Sequence, residues 1–296
     1  MQKLITAIIL TYNEEKHIGR CIKSLQGLAD EIFIVDSFSE DKTIEIAVTM
    51  GARIYQHPWK NYATQFNWAL ENCPINSKWI WRIDADEYIE EEPVCVRNQI
   101  ERLPEQVTAI YIKRKIIFMD KALLHGGWFP VWHLKIWRQG KGFCESRWMD
   151  EHIKITEGES SKIDCTQVDW NKNDLRWWTE KHVSYARREM IDILDNQHGV
   201  FNDSNVSPNL FGSDEQRKRW LKMRYINLPL FLRPFLNFTY RYFIRLGFLD
   251  GLQGLIWHFL QGFWYRFLID ANIYELTKKF RNNKQEIIEF LKANDK

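Results

Sequence analysis

The chain has 296 residues, long enough for one large α/β domain and an appendage, and its 45% hydrophobic and 27% charged content excludes a disordered protein. A net charge of +2 gives no electrostatic reason to expect a nucleic-acid partner. Five cysteines (Cys21, Cys73, Cys95, Cys144, Cys165) are scattered, odd in number and without a Cys-x-x-Cys pair. That argues against a disulfide framework or a zinc site and for free thiols in a reducing compartment.

Met1-Gln2-Lys3 runs directly into a strand-like segment, which leaves no room for a signal peptide and makes the cytosol the expected compartment. Leu4 to Leu10 is an apolar, β-branched run, read as a buried parallel strand. The polar loop Thr11-Tyr12-Asn13-Glu14-Glu15 follows, and Ile18, Cys21, Ile22 and Leu25 then trace a helical stripe. Glu31 to Val35 predicts a second strand ending at Asp36-Ser37, and Ser39-Glu40-Asp41 opens a helix with Ile44, Ala47 and Val48 at helical spacing. Ala52 to Tyr55 reads as a strand, Ala63 to Leu70 as a helix and Trp79 to Ile83 as a fourth strand. Strands alternating with helices predict a doubly wound, mostly parallel sheet of the Rossmann-like kind. Such sheets bind ligands beyond the carboxyl ends of their strands, where Thr11 to Glu15, Asp36, Asp84 and Asp86 fall.

Asp84-Ala85-Asp86 is the most informative of these. Two carboxylates two positions apart share a side only while the chain is extended. At the exit of a buried strand they repel each other and are comfortable near a cation. A hard divalent ion suits them, and Mg²⁺ usually keeps waters and takes phosphate oxygens as further ligands. A solvated acidic turn is the plainer reading, since Glu87 and Glu90 to Glu92 follow closely.

Farther along, Ala109 to Met119 and Leu134 to Trp137 read as strands, with Gly140 and Gly142 marking turns. Met149-Asp150-Glu151-His152-Ile153 is a compact polar cluster between apolar residues. Leu175 to Leu194 predicts a helix with Trp178, His182, Tyr185, Glu189 and Ile193 roughly on one side, and Gly199 to Asp214 a polar loop. From Tyr225 to Tyr274 the chain is dense in Leu, Phe, Trp and Tyr but interrupted by Arg233, Arg241, Arg245, Asp250 and Arg266. No stretch reaches the roughly 18 uncharged apolar residues of a spanning helix. Aromatic segments with spaced arginines suit a membrane interface, where the charges meet lipid phosphates. A packed aromatic hairpin is the alternative.

Ile9-Leu10-Thr11-Tyr12-Asn13-Glu14, Val35-Asp36-Ser37-x-Ser39-x-Asp41-x-Thr43 and Asp84-Ala85-Asp86-Glu87 together resemble the family 2 inverting glycosyltransferases of the GT-A fold. His182-x-x-Tyr185-Ala186, Arg233-Pro234 and Gly247-Phe248-Leu249-Asp250-Gly251 look like the bacterial branch that builds lipopolysaccharide core, capsule and exopolysaccharide. The resemblance covers all but the last twenty or so residues. It implies a GT-A domain over 1–224, with a nucleotide-binding half to 90 and an acceptor half from 91, and a helical membrane-interfacial segment over 225–296. Two departures stand out: Phe38 replaces the small residue usual between the serines. Gln65 stands where many relatives carry Arg, in Ala63-Thr64-Gln65-Phe66-Asn67.

The resemblance further implies a nucleotide-sugar donor, a UDP-sugar being expected, a saccharide acceptor that is lipid-linked, and a divalent metal, Mg²⁺ or Mn²⁺. Thr11, Asn13, Glu15, Asp36, Gln65 and Asp84 are then the donor-binding candidates. Asp86 is the expected metal ligand, with His152 a second candidate. Glu151, with Asp150 as the alternative, is the expected base that takes the acceptor proton during inversion. The expected site of action is the inner face of the bacterial cytoplasmic membrane, with peripheral attachment. A nucleotidyltransferase of similar fold is a rival reading, but such enzymes carry a glycine-rich loop after the first strand. Here no glycine occurs before Gly19. A catalytically inactive membrane-bound scaffold is the other rival, and the intact acidic set Asp36, Asp84, Asp86 and Glu151 argues against it.

Overall fold

The computed structural model describes residues 3–145, 152–200, 220 and 223–293. They fall into two compact units, Met1–Lys172 and Asn173–Lys296.

In the first unit, β1 (Lys3–Thr11) sends Ile5, Ala7 and Ile9 into one apolar layer and Ile8 into another. A strand covered on both faces needs an unbroken apolar run, which is why no polar alternation marks this segment. α1 (Ile18–Leu25) buries the expected stripe Ile18, Cys21, Ile22 and Leu25. β2 (Glu31–Asp36), α2 (Thr43–Thr49), β3 (Arg53–Gln56), α3 (Tyr62–Asn72) and β4 (Ser77–Asp84) follow. α3 lays Ala63, Phe66 and Ala69 on the face opposite α1. One helical expectation is corrected. Val48 is 57% exposed, because α2 starts at Thr43 and turns Thr43, Ile46, Ala47 and Met50 toward the core.

β3, β2, β1 and β4 lie side by side and parallel. Beyond Asp86 come β5 (Glu87–Ile89), α4 (Pro93–Glu101), β6 (Val107–Phe118), β7 (Lys121–Leu123) and β8 (Val131–Arg138). The unit closes with β9 (Gly142–Cys144), β10 (Ile153–Ile155) and β11 (Glu159–Asp169). The main sheet runs β3-β2-β1-β4-β8-β6-β11-β5, with β7 on β6, while β9 and β10 form a separate hairpin. β1 to β4, β6 and β11 point one way and β5, β7 and β8 the other. The expected mostly parallel α/β sheet is therefore present, but its second half is mixed. Only Met119 and Asp120 join β6 to β7, both at positive φ (48° and 60°), and so short a link returns a strand antiparallel.

The register puts Thr11 opposite Asp36, and Leu10 opposite Asp84. The ends of β1, β2 and β4 thus reach one edge at the same level.

In the second unit, α5 (Leu175–His198) begins at Asp174, whose side chain accepts the Trp177 N–H at 2.9 Å, and ends at left-handed Gly199. α6 (Leu232–Thr239) continues through a π-helical turn at Tyr240–Ile244. α7 (Gly251–Trp257) continues through a second, His258–Trp264, into α8 (Tyr265–Lys279), and α9 (Lys284–Ala293) ends the unit. α5 packs on α8: the Tyr265 hydroxyl donates to Glu189 at 2.6 Å and Arg266 pairs with the same carboxylate. His182 stacks on Trp178 at 3.6 Å and meets the Tyr265 ring edge-on at 5.4 Å.

Arg233 on α6 corrects the expectation of an arginine facing lipid. It is 2% exposed and donates from Nε to Asp270 Oδ1 at 2.6 Å, while Asp270 Oδ2 accepts the Phe231 N–H at 2.7 Å. Its Nη1 reaches the Ile226 carbonyl at 2.9 Å. A buried cation persists only with its charge matched and its donors satisfied, and Asp270 supplies that inside the unit. No helix among the described residues is long and apolar enough to cross a membrane.

Removing one partner of a buried ion pair costs about 3–5 kcal/mol, whereas an apolar replacement of both can be neutral. Asp270→Ala should therefore lower the urea midpoint of the second unit sharply, and Arg233→Met with Asp270→Leu should recover most of it. Denaturation followed by tryptophan fluorescence measures both.

Candidate active site at the carboxyl ends of β1, β2 and β4

The loops after β1 and β2 are stitched into one frame. Thr11 Oγ1 donates to Asp36 Oδ1 at 2.8 Å, and the Ser37 N–H to the Thr11 carbonyl at 2.9 Å. The Asn13 N–H donates to Ser39 Oγ and the Glu40 N–H to Asn13 Oδ1, each at 2.9 Å. The Glu15 N–H reaches Asp41 Oδ2 at 3.1 Å, and Glu15 Oε2 accepts the Lys42 N–H at 3.2 Å. Asp36 is fully buried, and its oxygens also accept the Ser39 hydroxyl at 2.5 Å and the Ser39 N–H at 2.8 Å. Thr11, Asn13, Glu15 and Asp36 are thus brought together, with their polar atoms bracing the loops.

At the end of β4, Asp84 Oδ1 accepts the Tyr62 hydroxyl at 2.7 Å, and Tyr62 in turn accepts from Arg82 Nε at 2.8 Å. Lys135 Nζ stands 3.6 Å from Asp84 Oδ2 and 3.0 Å from Glu87 Oε2. Burial alone would raise the Asp84 pKa, but Lys135, Arg82 and the Tyr62 hydroxyl outweigh it and hold the carboxyl well below its usual range.

Asp86, in the turn between β4 and β5, has the opposite environment. Burial, then repulsion from Asp169, Asp84 and Glu87, pushes its carboxyl up to about 7. Asn171 Nδ2 donates to its Oδ2 at 2.9 Å, and a strap of chain clips its turn in place. The Trp170 N–H donates to the Asp86 carbonyl at 3.2 Å, Arg20 donates to the carbonyls of Asp86 and Trp170, and the Lys172 N–H donates to His17 Nε2 at 2.9 Å. An acidic cluster that repels its own members fits a divalent cation at Asp86. Among the described residues no three His, Cys, Asp or Glu side chains are grouped to hold one unaided.

Gln65 is fully buried, its Oε1 2.7 Å from His57 Nδ1 and its Nε2 donating to Ser37 Oγ at 3.0 Å. It anchors the loop after β2 to α3. His152 is exposed, and its carbonyl accepts the Glu145 N–H at 2.9 Å beside the β9–β10 hairpin. Asp150 and Glu151 lie outside the described residues.

Sequence reasoning passed over Tyr62, Lys135, Arg20 and Asn171. Only Lys135 carried a visible signal, as a lone charge inside the apolar run Leu134 to Trp137. The register against β6 slips between Leu134 and Ile136, so Lys135 is the extra residue of a bulge, which turns its ammonium toward Asp84 and Glu87.

The sequence model of Glycosyl transferase family 2 matches residues 6–157, the stretch holding this edge. The chain belongs to that family. This family 2 glycosyltransferase is 27% identical over 287 residues to an uncharacterized glycosyltransferase of Rickettsia typhi, covering 95% of this chain and 90% of that protein. It is 26% identical over 281 residues to the lipopolysaccharide core biosynthesis glycosyltransferase LpsC of Rhizobium meliloti, covering 92% of each. Among solved structures, glucosyl-3-phosphoglycerate synthase from Mycobacterium tuberculosis, crystallised with Mn²⁺, UDP and glucosyl-3-phosphoglycerate, aligns at 23% identity and a TM-score of 0.32. That alignment covers 38% of this chain and 44% of the other, too slight a likeness to bear on the chemistry here.

The raised Asp86 pKa fixes a sign. A group whose folded pKa lies above its unfolded value of 3.8 adds no penalty when both states are protonated and a full penalty when both are ionised. Its cost therefore grows as pH rises from about 4 to about 7. In metal-free protein, Asp86→Asn should melt higher than wild type at pH 8, the gap closing below pH 4; thermal unfolding across that range checks it.

Proposed function

We propose that the protein is an inverting, metal-dependent glycosyltransferase that moves a sugar from a nucleotide-sugar, a UDP-sugar by preference, to a lipid-linked saccharide of the bacterial surface. The observation that carries this reading is the pairing of Asp84 and Asp86 at the same strand-end edge as Thr11 and Asp36, in a chain of this family. The likeness to LpsC along nearly the whole chain supports lipopolysaccharide core as the product class.

In this reading Asp86 would hold a divalent metal, Mg²⁺ or Mn²⁺, which when bound would supply positive charge beside the leaving nucleoside diphosphate. Asp84, kept ionised by Lys135 and oriented by Tyr62, accepts a donor hydroxyl. The braced loops of Thr11, Asn13, Glu15 and Asp36 form the floor of the nucleoside pocket, which Gln65 supports from below. His152 is the candidate for a further ligand. Glu151, or Asp150 beside it, takes the acceptor hydroxyl's proton as that oxygen attacks opposite the leaving group.

Incubation of purified protein with a panel of nucleotide-sugars, metal and a lipid-linked saccharide should release nucleoside diphosphate from one donor. Asp86→Asn should abolish turnover, and Glu151→Gln should slow it roughly a hundredfold with donor affinity little changed. Full turnover in excess chelator would defeat the metal assignment. A damaging Asp150→Asn beside a normal Glu151→Gln would reverse the order of the two acids.

Attachment to the cytoplasmic leaflet of the inner membrane completes the proposal. Phe235, Phe243, Ile244, Leu249, Leu252 and Phe259 are all more than 40% exposed, apolar side chains of the kind that a membrane interface covers. Arg245 is exposed among them, whereas Arg233 and Arg266 are held by Asp270 and Glu189. Binding to anionic vesicles should weaken in salt without vanishing. Ile244→Ser with Leu252→Ser should remove the salt-resistant part, and Arg245→Glu the salt-sensitive part. Indifference of wild-type protein to such vesicles in a flotation assay would point instead to a packed hairpin or a dimer.

A further inference from the structure

Phe38 occupies a backbone conformation that side chains other than glycine avoid. Its φ is +61°, in the left-handed region where a Cβ crowds the following carbonyl. A glycine would relax this position and give up only part-covered surface, for Phe38 is 51% exposed. The ring is therefore neither core packing nor a conformational convenience, and strain held at such a place points to use.

Its surroundings narrow that use. Phe38 and Tyr12, the latter 58% exposed, stand on the loops after β2 and β1, beyond the carboxyl ends of two adjacent parallel strands. The hydrogen bonds from Asn13, Glu14 and Glu15 to Ser39, Thr43 and Asp41 lock these loops to one another. The two rings are held outward on a rigid frame, so little ordering remains to oppose binding. The same frame carries Glu14, Glu15, Glu40 and Asp41 beside Lys16 and Lys42, so its charges are mixed and it offers no strong field to a charged partner. What fits an exposed, fixed ring in such surroundings is a flat, polarisable group that stacks on it.

We infer that Phe38 is a wall of the nucleobase slot, its ring stacking on the base of the donor and thereby setting which nucleotide is accepted. The inference rests on the donor being a nucleotide-sugar, as proposed above. Base–aromatic stacking is generally worth about 1–3 kcal/mol per base by alanine substitution, roughly a five- to hundredfold change in affinity.

The test is isothermal titration of wild type, Phe38→Ala, Phe38→Gly and Phe38→Trp with UDP, GDP, ADP and CMP, and with pyrophosphate as a probe lacking a base, all with Mg²⁺ present. For the best-bound nucleotide, Phe38→Ala and Phe38→Gly should each weaken affinity about tenfold, and Phe38→Trp should retain it. Pyrophosphate should bind all four proteins alike. Phe38→Gly alone should raise the melting temperature, because it relieves the strain that Phe38→Ala keeps. Wild-type nucleotide binding that survives Phe38→Gly unchanged would overturn the inference and leave the donor proposal standing. Equal weakening of nucleotide and pyrophosphate would overturn it too, since the effect would then lie in the loop and not at the base. A wild type that binds pyrophosphate but no nucleotide would remove both.

Discussion

The structure is arranged around one electrostatic difficulty: Asp84, Asp86, Glu87 and Asp169 are brought close together where little water can separate their charges. Each compensating element can be traced to it. Lys135 comes from a bulge in β8, Arg82 from β4 itself, Arg114 pairs with Asp169 across from β6, and Gln167 of β11 donates to Glu87. The antiparallel half of the sheet, which departs from simple winding, is what carries these partners into place. The compensation is unequal. Asp84 receives a full complement of cations and a hydroxyl, while Asp86 receives an amide and a set of backbone clamps. Two chemically identical side chains, two residues apart, are thereby given opposite proton affinities: Asp84 is held in its ionised form, while burial and like charges favour the protonated form of Asp86.

Much of the first unit was legible because its signals are local. A short, β-branched apolar run without alternation reads as a strand covered on both faces, and the stripe Ile18, Cys21, Ile22, Leu25 as one face of a helix. The ends of such strands could be located, and with them Thr11, Asp36, Asp84 and Asp86. The positions that sequence reasoning missed act over long separations. Asn171 meets Asp86 across 85 residues and Arg20 meets Trp170 across 150, and no periodicity announces a pairing of that span. Val48 was misplaced for a smaller reason of the same kind, since the phase of a two-turn helix depends on the residue at which it starts.

The second unit shows how a sequence pattern can mislead about charge. Arginines spaced through an aromatic segment look alike, yet Arg233 and Arg266 are consumed by Asp270 and Glu189 and only Arg245 stands open to solvent. The partner acids sit on other helices, 37 and 77 residues away. Phe235, Ile244 and Leu252 remain outside while Arg233 goes inward.

The strap from Trp170 to Lys172 has a consequence for where this protein can be divided. The family match ends at residue 157, yet β11 forms later and lies between β6 and β5, and the three residues after it fasten the turn that presents Asp86. A fragment cut at the homology boundary would lose a strand from inside its sheet and the clamp on its principal acid together. The shortest piece that keeps this edge intact therefore runs through Lys172, and chimeras between relatives should be joined after it.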